Sequence, residues 1–175
     1  MPYRIHPFED SDAPAVQDLF VRVNLELAPP QFRDAFEQYI ALSLREEIGR
    51  IADYYDAAQR RSFWVAADGE RLLGNFGLEP SGPAAFELRR MYVEPSLRRQ
   101  GLARAMLGHA EQTCLAEGAS ELHLSTSEIQ VAAIALYRAS GYRLVREEIA
   151  QSASNKTVGH GLRRFHFSKR LTAVS

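Results

Sequence analysis

Residues 86–104 read FELRRMYVEPSLRRQGLAR and carry three structural signals in succession. Apolar side chains alternate from Phe86 to Val93, which predicts a strand over residues 86–93. Glu94-Pro95-Ser96 is a turn signal. A short basic loop with Gly101 follows, and a helix opens directly behind it. The first N–H groups of a helix have no partner inside it and carry the positive end of its dipole. A glycine beside them lets an anion approach the backbone, and Arg98 and Arg99 add charge. The stretch therefore predicts a site for a phosphate-bearing ligand. It contains neither the G-x-x-x-x-G-K-[ST] loop of nucleoside-triphosphate sites nor G-x-G-x-x-G.

Upstream, residues 3–7 predict a first strand. Asp12 is an N-cap candidate with Pro14 in the first turn, and Val16, Leu19, Phe20, Val23 and Leu27 recur at helical spacing. Pro29-Pro30 ends that helix. Phe32, Phe36, Ile40, Leu44, Ile48, Ile51 and Tyr55 predict one long helix or two consecutive ones, with a break near Gly49. Residues 62–67 and 72–79 predict strands joined at Asp68-Gly69. Ser81-Gly82-Pro83 turns the chain into the 86–93 strand.

Downstream, Ala103, Met106, Leu107, Ala110 and Cys114 predict the buried stripe of the helix after Gly101, with Gly118 just past its end. Residues 121–126 predict another strand. Ser127 and Gln130 read as a capping pair that starts a helix ending at Gly141. Residues 142–150 and 162–171 predict the last two strands, joined by the polar loop 151–161. The expected architecture is α/β (α+β): one domain over residues 1–175, with a mixed, mostly antiparallel seven-stranded sheet and helices on both faces.

Composition narrows the function classes. The formal net charge is −1, so a basic patch is local and nucleic-acid binding has no compositional support. The single cysteine, Cys114, excludes an internal disulfide and a cysteine metal cluster. It lies thirteen residues past Gly101, about 20 Å along the helix axis from the anion end, and reads as a small core residue rather than a nucleophile. His6, His109, His123, His160 and His166 show no i,i+4 metal pair, so no metal is expected. His123 is a minor alternative base. Trp64, Phe76, Phe165 and Phe167 read as core. No apolar run suits a leader or a membrane span, and the expected location is the cytoplasm.

Arg98-Arg99-Gln100-Gly101-Leu102-Ala103 fits [QR]-x-x-G-x-[GA], and Ile134-Ala135-Leu136-Tyr137-Arg138-Ala139-Ser140-Gly141-Tyr142 follows in a second strand-and-helix unit. Together they resemble the pyrophosphate motif and the second cofactor motif of the GCN5-related N-acetyltransferase (GNAT) superfamily. The order of elements is that family's order from end to end. Residues 126–142, TSEIQVAAIALYRASGY, also resemble its camello-like branch, which often carries a membrane segment that is not read here. The resemblance implies acetyl-CoA (coenzyme A) as cofactor. It implies transfer of an acetyl group to the primary amine of a small molecule, such as an amino acid or its conjugate, by direct attack in a ternary complex. A protein or peptide acetylase and a non-catalytic acyl-CoA-binding module are the alternative readings. A small-molecule partner is expected and a membrane partner is not. The oligomeric state is left open, a homodimer included.

The same resemblance assigns roles. Met91, Tyr92 and Val93 would present backbone groups to the pantetheine arm, even if their side chains pack in the core. Arg98, Arg99, Gln100, Gly101, Leu102, Ala103 and Arg104 would hold the pyrophosphate, with Ser127 and Ala133 beside the cofactor. Tyr137 would donate to the leaving sulfur, or else face the core. Glu87 would take the amine proton, or else pair with Arg89 or Arg90. Strict alternation places Glu87, Arg89, Met91 and Val93 on one face. Arg89, Lys156 and His160 are candidates to hold an acceptor carboxylate, with Ser125 and Thr126 nearby. Ser127 could equally be a helix cap.

Overall fold

The computed structural model describes residues 2–173. Seven strands form one sheet: β1 (Arg4–Pro7), β2 (Ser62–Asp68), β3 (Arg71–Gly82), β4 (Ala85–Val93), β5 (Glu121–Ser127), β6 (Arg143–Ala150) and β7 (Leu162–Arg170). Their order is β1-β2-β3-β4-β5-β7-β6. The β4–β5 pair is parallel and every other pair is antiparallel.

Helices cover both faces. α1 (Ala13–Leu27), α2 (Arg33–Glu46) and the short α3 (Ile51–Tyr54) lie on one. There Val16, Phe20, Phe36, Tyr39 and Ile40 pack against Phe63 and Val65. α4 (Leu102–Ala116) and α5 (Val131–Ala139) belong to the other, where Met106, Leu107 and Ala110 meet Leu73, Phe76, Leu88 and Leu122. Met106 and Leu107 are almost wholly enclosed, so each contributes about 1.5–3 kcal/mol of apolar burial. Phe76 and Phe167 are buried as expected, while Trp64 and Phe165 pack at the core's edge. Leu102, rather than Ala103, joins the buried stripe of α4.

Three local features bear on the site. The break near Gly49 is present: α2 stops at Glu46, a single tight turn spans Ile48–Arg50, and α3 follows. Any Cβ at Gly49 would collide with the Leu44 carbonyl, so the kink requires glycine. The Ser127–Gln130 pair does not cap the first turn of α5. Its helix begins at Val131, and the Gln130 side chain accepts from the Ser127 N–H at 3.0 Å and from the Thr126 hydroxyl, closing the turn before the helix.

The third feature corrects the expected alternation in β4. Arg89 pairs with Gly77, yet Tyr92 pairs with Asn75, so β4 carries one residue more than β3 across that interval. Arg90 sits at φ 55°, and its carbonyl accepts from the buried Asn75 Nδ2 at 2.8 Å. This β-bulge reverses the strand's parity. Glu87 and Arg89 share a face with Tyr92, while Met91 and Val93 pack on the opposite, α4 side. The alternation rule fails here because it assumes an unbroken pleat.

Candidate active site

β4 and β5 pair only from Ala85–Glu121 to Glu87–His123. Beyond that point they diverge, and the β5-side backbone edge of residues 88–93 has no strand partner. A cleft opens between them. Glu87, Arg89, Met91 and Tyr92 of β4 line it, opposite Ser125, Thr126 and Ser127 of β5, with Tyr137 of α5 and Lys156 and Arg164 at its sides. The wedge follows from the sheet: the next strand beyond β5, β7, pairs with it along all seven residues and draws it away from β4.

At the end of β4 the chain makes a tight turn over Pro95–Leu97 and enters α4. Arg99 (φ 66°) and Gly101 (φ 84°) are both left-handed. Among the described residues, no protein acceptor meets the N–H groups of Gln100, Gly101, Leu102, Ala103 or Arg104, and the first helical bond runs from the Ala105 N–H to the Gly101 carbonyl. Nothing lies within 4 Å of the Cβ position of Gly101. Unpaired donors around an open glycine at a helix start fit a pyrophosphate. Arg98 is not wholly free: its guanidinium donates to Glu26 at 3.0 Å, with both side chains about half exposed. Gln100 folds back onto the Ser96 carbonyl.

The other side of the bulge is a buried ion network. Arg89 donates to Glu79 and to Glu47, each at 2.7 Å, and to the Tyr54 hydroxyl at 2.9 Å. Arg90 donates to both oxygens of Glu47 and to the Tyr39 hydroxyl. The Tyr55 hydroxyl also donates to Glu47, at 2.6 Å. The Asn155 carbonyl in the β6–β7 loop accepts from both arginines. Glu47 is fully enclosed. Burial alone would raise the Glu79 carboxyl, but the Arg89 charge and hydrogen bond, with Tyr54 and Lys156, hold it below its usual value. Burial disfavours the charged Arg89, and Glu47, Tyr55 and Glu79 together more than offset this, so it titrates above an ordinary arginine.

The network corrects the role expected for Arg89. Its guanidinium is shared between Glu79 and Glu47, neither of which is Glu87, and it has no open fork for an acceptor carboxylate. Glu87 instead accepts from Lys156 Nζ at 3.1 Å, and the same ammonium lies 3.5 Å from Glu79. Lys156 is thus partnered as well. Ser125 accepts from the Arg164 guanidinium. The Ser127 hydroxyl accepts from the Ile129 N–H at 3.3 Å.

Tyr137 is 7% exposed and packs against Tyr142 and Phe167. Its ring is core, yet it lines the cleft, and among the described residues its hydroxyl makes no hydrogen bond. Burial raises this phenol above its ordinary value, so it stays protonated. Cys114 is wholly enclosed and its thiol is pushed up to about 12 by burial and then by Glu111 and Glu117. A thiol held in that form is a poor nucleophile.

The structure therefore brings Glu87, Arg89, Met91, Tyr92, Ser125, Thr126, Ser127, Tyr137 and Lys156 into one cleft. Val93, residues 98–104 and Ala133 are not among the cleft's lining residues. Val93 and Ala133 pack against the α4-side core. Sequence reasoning missed Glu47, Asn155 and Arg164. Glu47 lies at the helix break, where an acid among apolar spacings was the available signal. Arg164 gave one too, as a cation on the cleft face of the last strand.

A sheet split at its parallel pair, with a donor-lined helix entrance past the end of one strand, defines an α/β protein built to bind an anionic cofactor beside an open strand edge. The chain belongs to the acetyltransferase (GNAT) family, whose model matches residues 22–142. The family's cofactor is acetyl-CoA. Relatives include human N-acetyltransferase 8, 30% identical over 61% of this chain and 49% of its own length. Rat N-acetyltransferase family 8 member 3 is 32% identical over 64% of this chain and 51% of its own. The chain spans about half the length of these curated relatives. Among solved structures, an N-acetyltransferase from Staphylococcus aureus Mu50 superposes with a TM-score of 0.73 at 15% identity, over 98% of this chain and 100% of that one. The PaiA N-acetyltransferase of Thermoplasma acidophilum, solved in complex with coenzyme A, gives 0.70 at 17%, over 97% and 99%. At such identities they share the fold. Among the described residues, no helix is long and apolar enough to cross a membrane.

Proposed function

We propose that this chain transfers an acetyl group from acetyl-CoA to the primary amine of a small molecule, by direct attack within a ternary complex. The observation that carries the reading is the coincidence of three features: the open edge of β4, the unpaired N–H groups of residues 100–104, and the protonated, unbonded Tyr137 hydroxyl. Bound acetyl-CoA supplies the acetyl thioester. The donors of residues 100–104 hold its pyrophosphate, and the backbone edge of residues 91–93 orients the pantetheine arm. Glu87 Oε2 takes the proton from the acceptor ammonium, directly or through water, once Lys156 is displaced from it. The neutral nitrogen bonds to the acetyl carbon as the carbon–sulfur bond breaks. Tyr137 donates its hydroxyl proton, or a hydrogen bond, to the departing sulfur, and the acylated nitrogen gives its surplus proton to the Tyr137 oxygen or to water.

The enclosed Cys114 favours direct transfer over a covalent acyl-enzyme. The β6–β7 loop, tied across the cleft by Asn155, favours a small acceptor over a protein chain. The test is release of free coenzyme A when the protein is given acetyl-CoA and a pool of small primary amines. Initial-rate plots should intersect. Parallel lines would overturn direct transfer. Turnover of peptide amines alone would select the protein-acetylase reading, and no turnover with intact coenzyme A binding would select the non-catalytic module.

A further inference from the structure

We infer that Arg164 recognises an oxyanion on the acceptor, a carboxylate above all, and thereby sets which amines the cleft accepts. This rests on the amine-transfer reading above and adds the residue that selects among amines. Arg164 lies on β7, paired with Ser127 of β5 on one side and Glu148 of β6 on the other. Its side chain lines the same cleft as Glu87 and Tyr137.

The cations of that cleft fare differently. Arg89 and Arg90 share Glu47 and Glu79, and Lys156 lies between Glu87 and Glu79. Arg164 has no carboxylate within 4 Å among the described residues, and its one side-chain partner is the Ser125 hydroxyl. The two nearby acids are engaged elsewhere. Glu148 is held by His166 at 2.6 Å and by Arg146 at 3.3 Å, and Glu87 by Lys156. Burial pulls Arg164 below an ordinary arginine, yet a guanidinium keeps its charge in any protein setting.

A largely buried cation without a counter-charge is costly. Here the missing charge can arrive with the ligand. The guanidinium has five donors in a planar fork, and Ser125 uses one. The remainder match a carboxylate bidentately. The cofactor's own phosphates are directed to residues 100–104, outside the cleft lining. The acceptor would lie with its amine toward Glu87 and its carboxylate on Arg164.

The test pairs a pool of common L-amino acids with the matching pool of L-amino acid amides, with coenzyme A release as the readout. Wild type should turn over the acids at least tenfold better in kcat/KM. Arg164→Gln should bring the two pools within about twofold while the KM for acetyl-CoA is unchanged, and Arg164→Lys should recover part of the preference. Equal turnover of both pools by wild type, or an unaltered preference in Arg164→Gln, overturns the inference and leaves acetyl transfer standing. A second readout is independent of turnover. With coenzyme A present, a pool of N-acetyl-L-amino acids should raise the melting temperature of wild type and not of Arg164→Gln. No rise in wild type, or an equal rise in both, overturns the inference even if neither amine pool is turned over.

Discussion

The two sides of the bulge in β4 treat polar groups in opposite ways. Past Val93 the chain leaves a run of backbone donors unpaired at residues 100–104, exposed and grouped around one glycine. At the bulge itself, Arg89 and Arg90 are enclosed and saturated by two carboxylates, two tyrosines and a carbonyl. The first region is built from neighbours in sequence and keeps its bonding capacity for a ligand. The second is assembled from distant segments and spends its capacity on itself. Binding and rigidity thus sit within one strand–loop–helix run, the network on β4 and the donors past its end, because the two regions place different demands on solvent. Unpaired donors are tolerable where water reaches them, whereas buried charges must be paired.

The sharpest way to break the contrast is Glu47→Ala. It strips the buried Arg90 of its carboxylate partner and Arg89 of one of its two, and should cost about 3–5 kcal/mol in urea unfolding. A loss under about 1 kcal/mol would show that the network does not hold the fold. Next comes Tyr137→Phe. Its hydroxyl bonds to nothing among the described residues, so stability should change by less than about 0.5 kcal/mol. kcat should fall about a hundredfold with the KM for acetyl-CoA unchanged. A wild-type kcat would return Tyr137 to a purely packing role.

Gly101→Glu tests the donor-rich side. At φ 84° a side chain costs about 1–2 kcal/mol, while an acidic side chain beside the donors should weaken coenzyme A at least tenfold by calorimetry. Unchanged affinity in a folded variant would remove these donors from the cofactor site. The mildest effect concerns Glu79. Its folded pKa is lowered, so its contribution is present above the ordinary glutamate value of about 4.3 and is lost as the pH falls through the lowered one. Glu79→Gln should therefore be less stable than wild type at pH 7, with the gap closing in acid. A gap that stays constant from pH 7 to pH 3 would mean the Arg89–Glu79 contact contributes nothing through charge.

The same contrast explains what could be read from the chain alone. The strand–turn–glycine–helix run and the Tyr137 motif are local, so spacing and residue type show them directly. The existence of the strands and their succession along the chain were legible because alternation, turn dipeptides and the family resemblance agreed. The faces of Met91 and Val93 were not, because an inserted residue leaves no compositional mark. Nor was the fate of Arg89. Its partners Glu79 and Glu47 are ten and forty-two residues away, and no spacing rule links a helix break to a strand. The capping reading of Ser127 and Gln130 found a real contact but put it on the wrong element, since side-chain pairs three residues apart serve turns as readily as helix starts.

The Arg90 bulge also makes β4 a strand with two reading frames. Upstream of it, odd-numbered positions look toward the α1–α2 layer; downstream, even-numbered positions do. A deletion at residue 90 would remove the offset without changing any other side chain. Plain alternation would then run from Arg89 through Met91, Tyr92 and Val93 and leave each on the face it already occupies, so the loss would fall on Arg90 and its contacts with Glu47, Tyr39 and Asn75. Related chains could therefore gain or lose this one position, and the buried cation it carries, while every flanking residue keeps its face. Alignments that slide a gap by a residue here would mistake one such frame for the other.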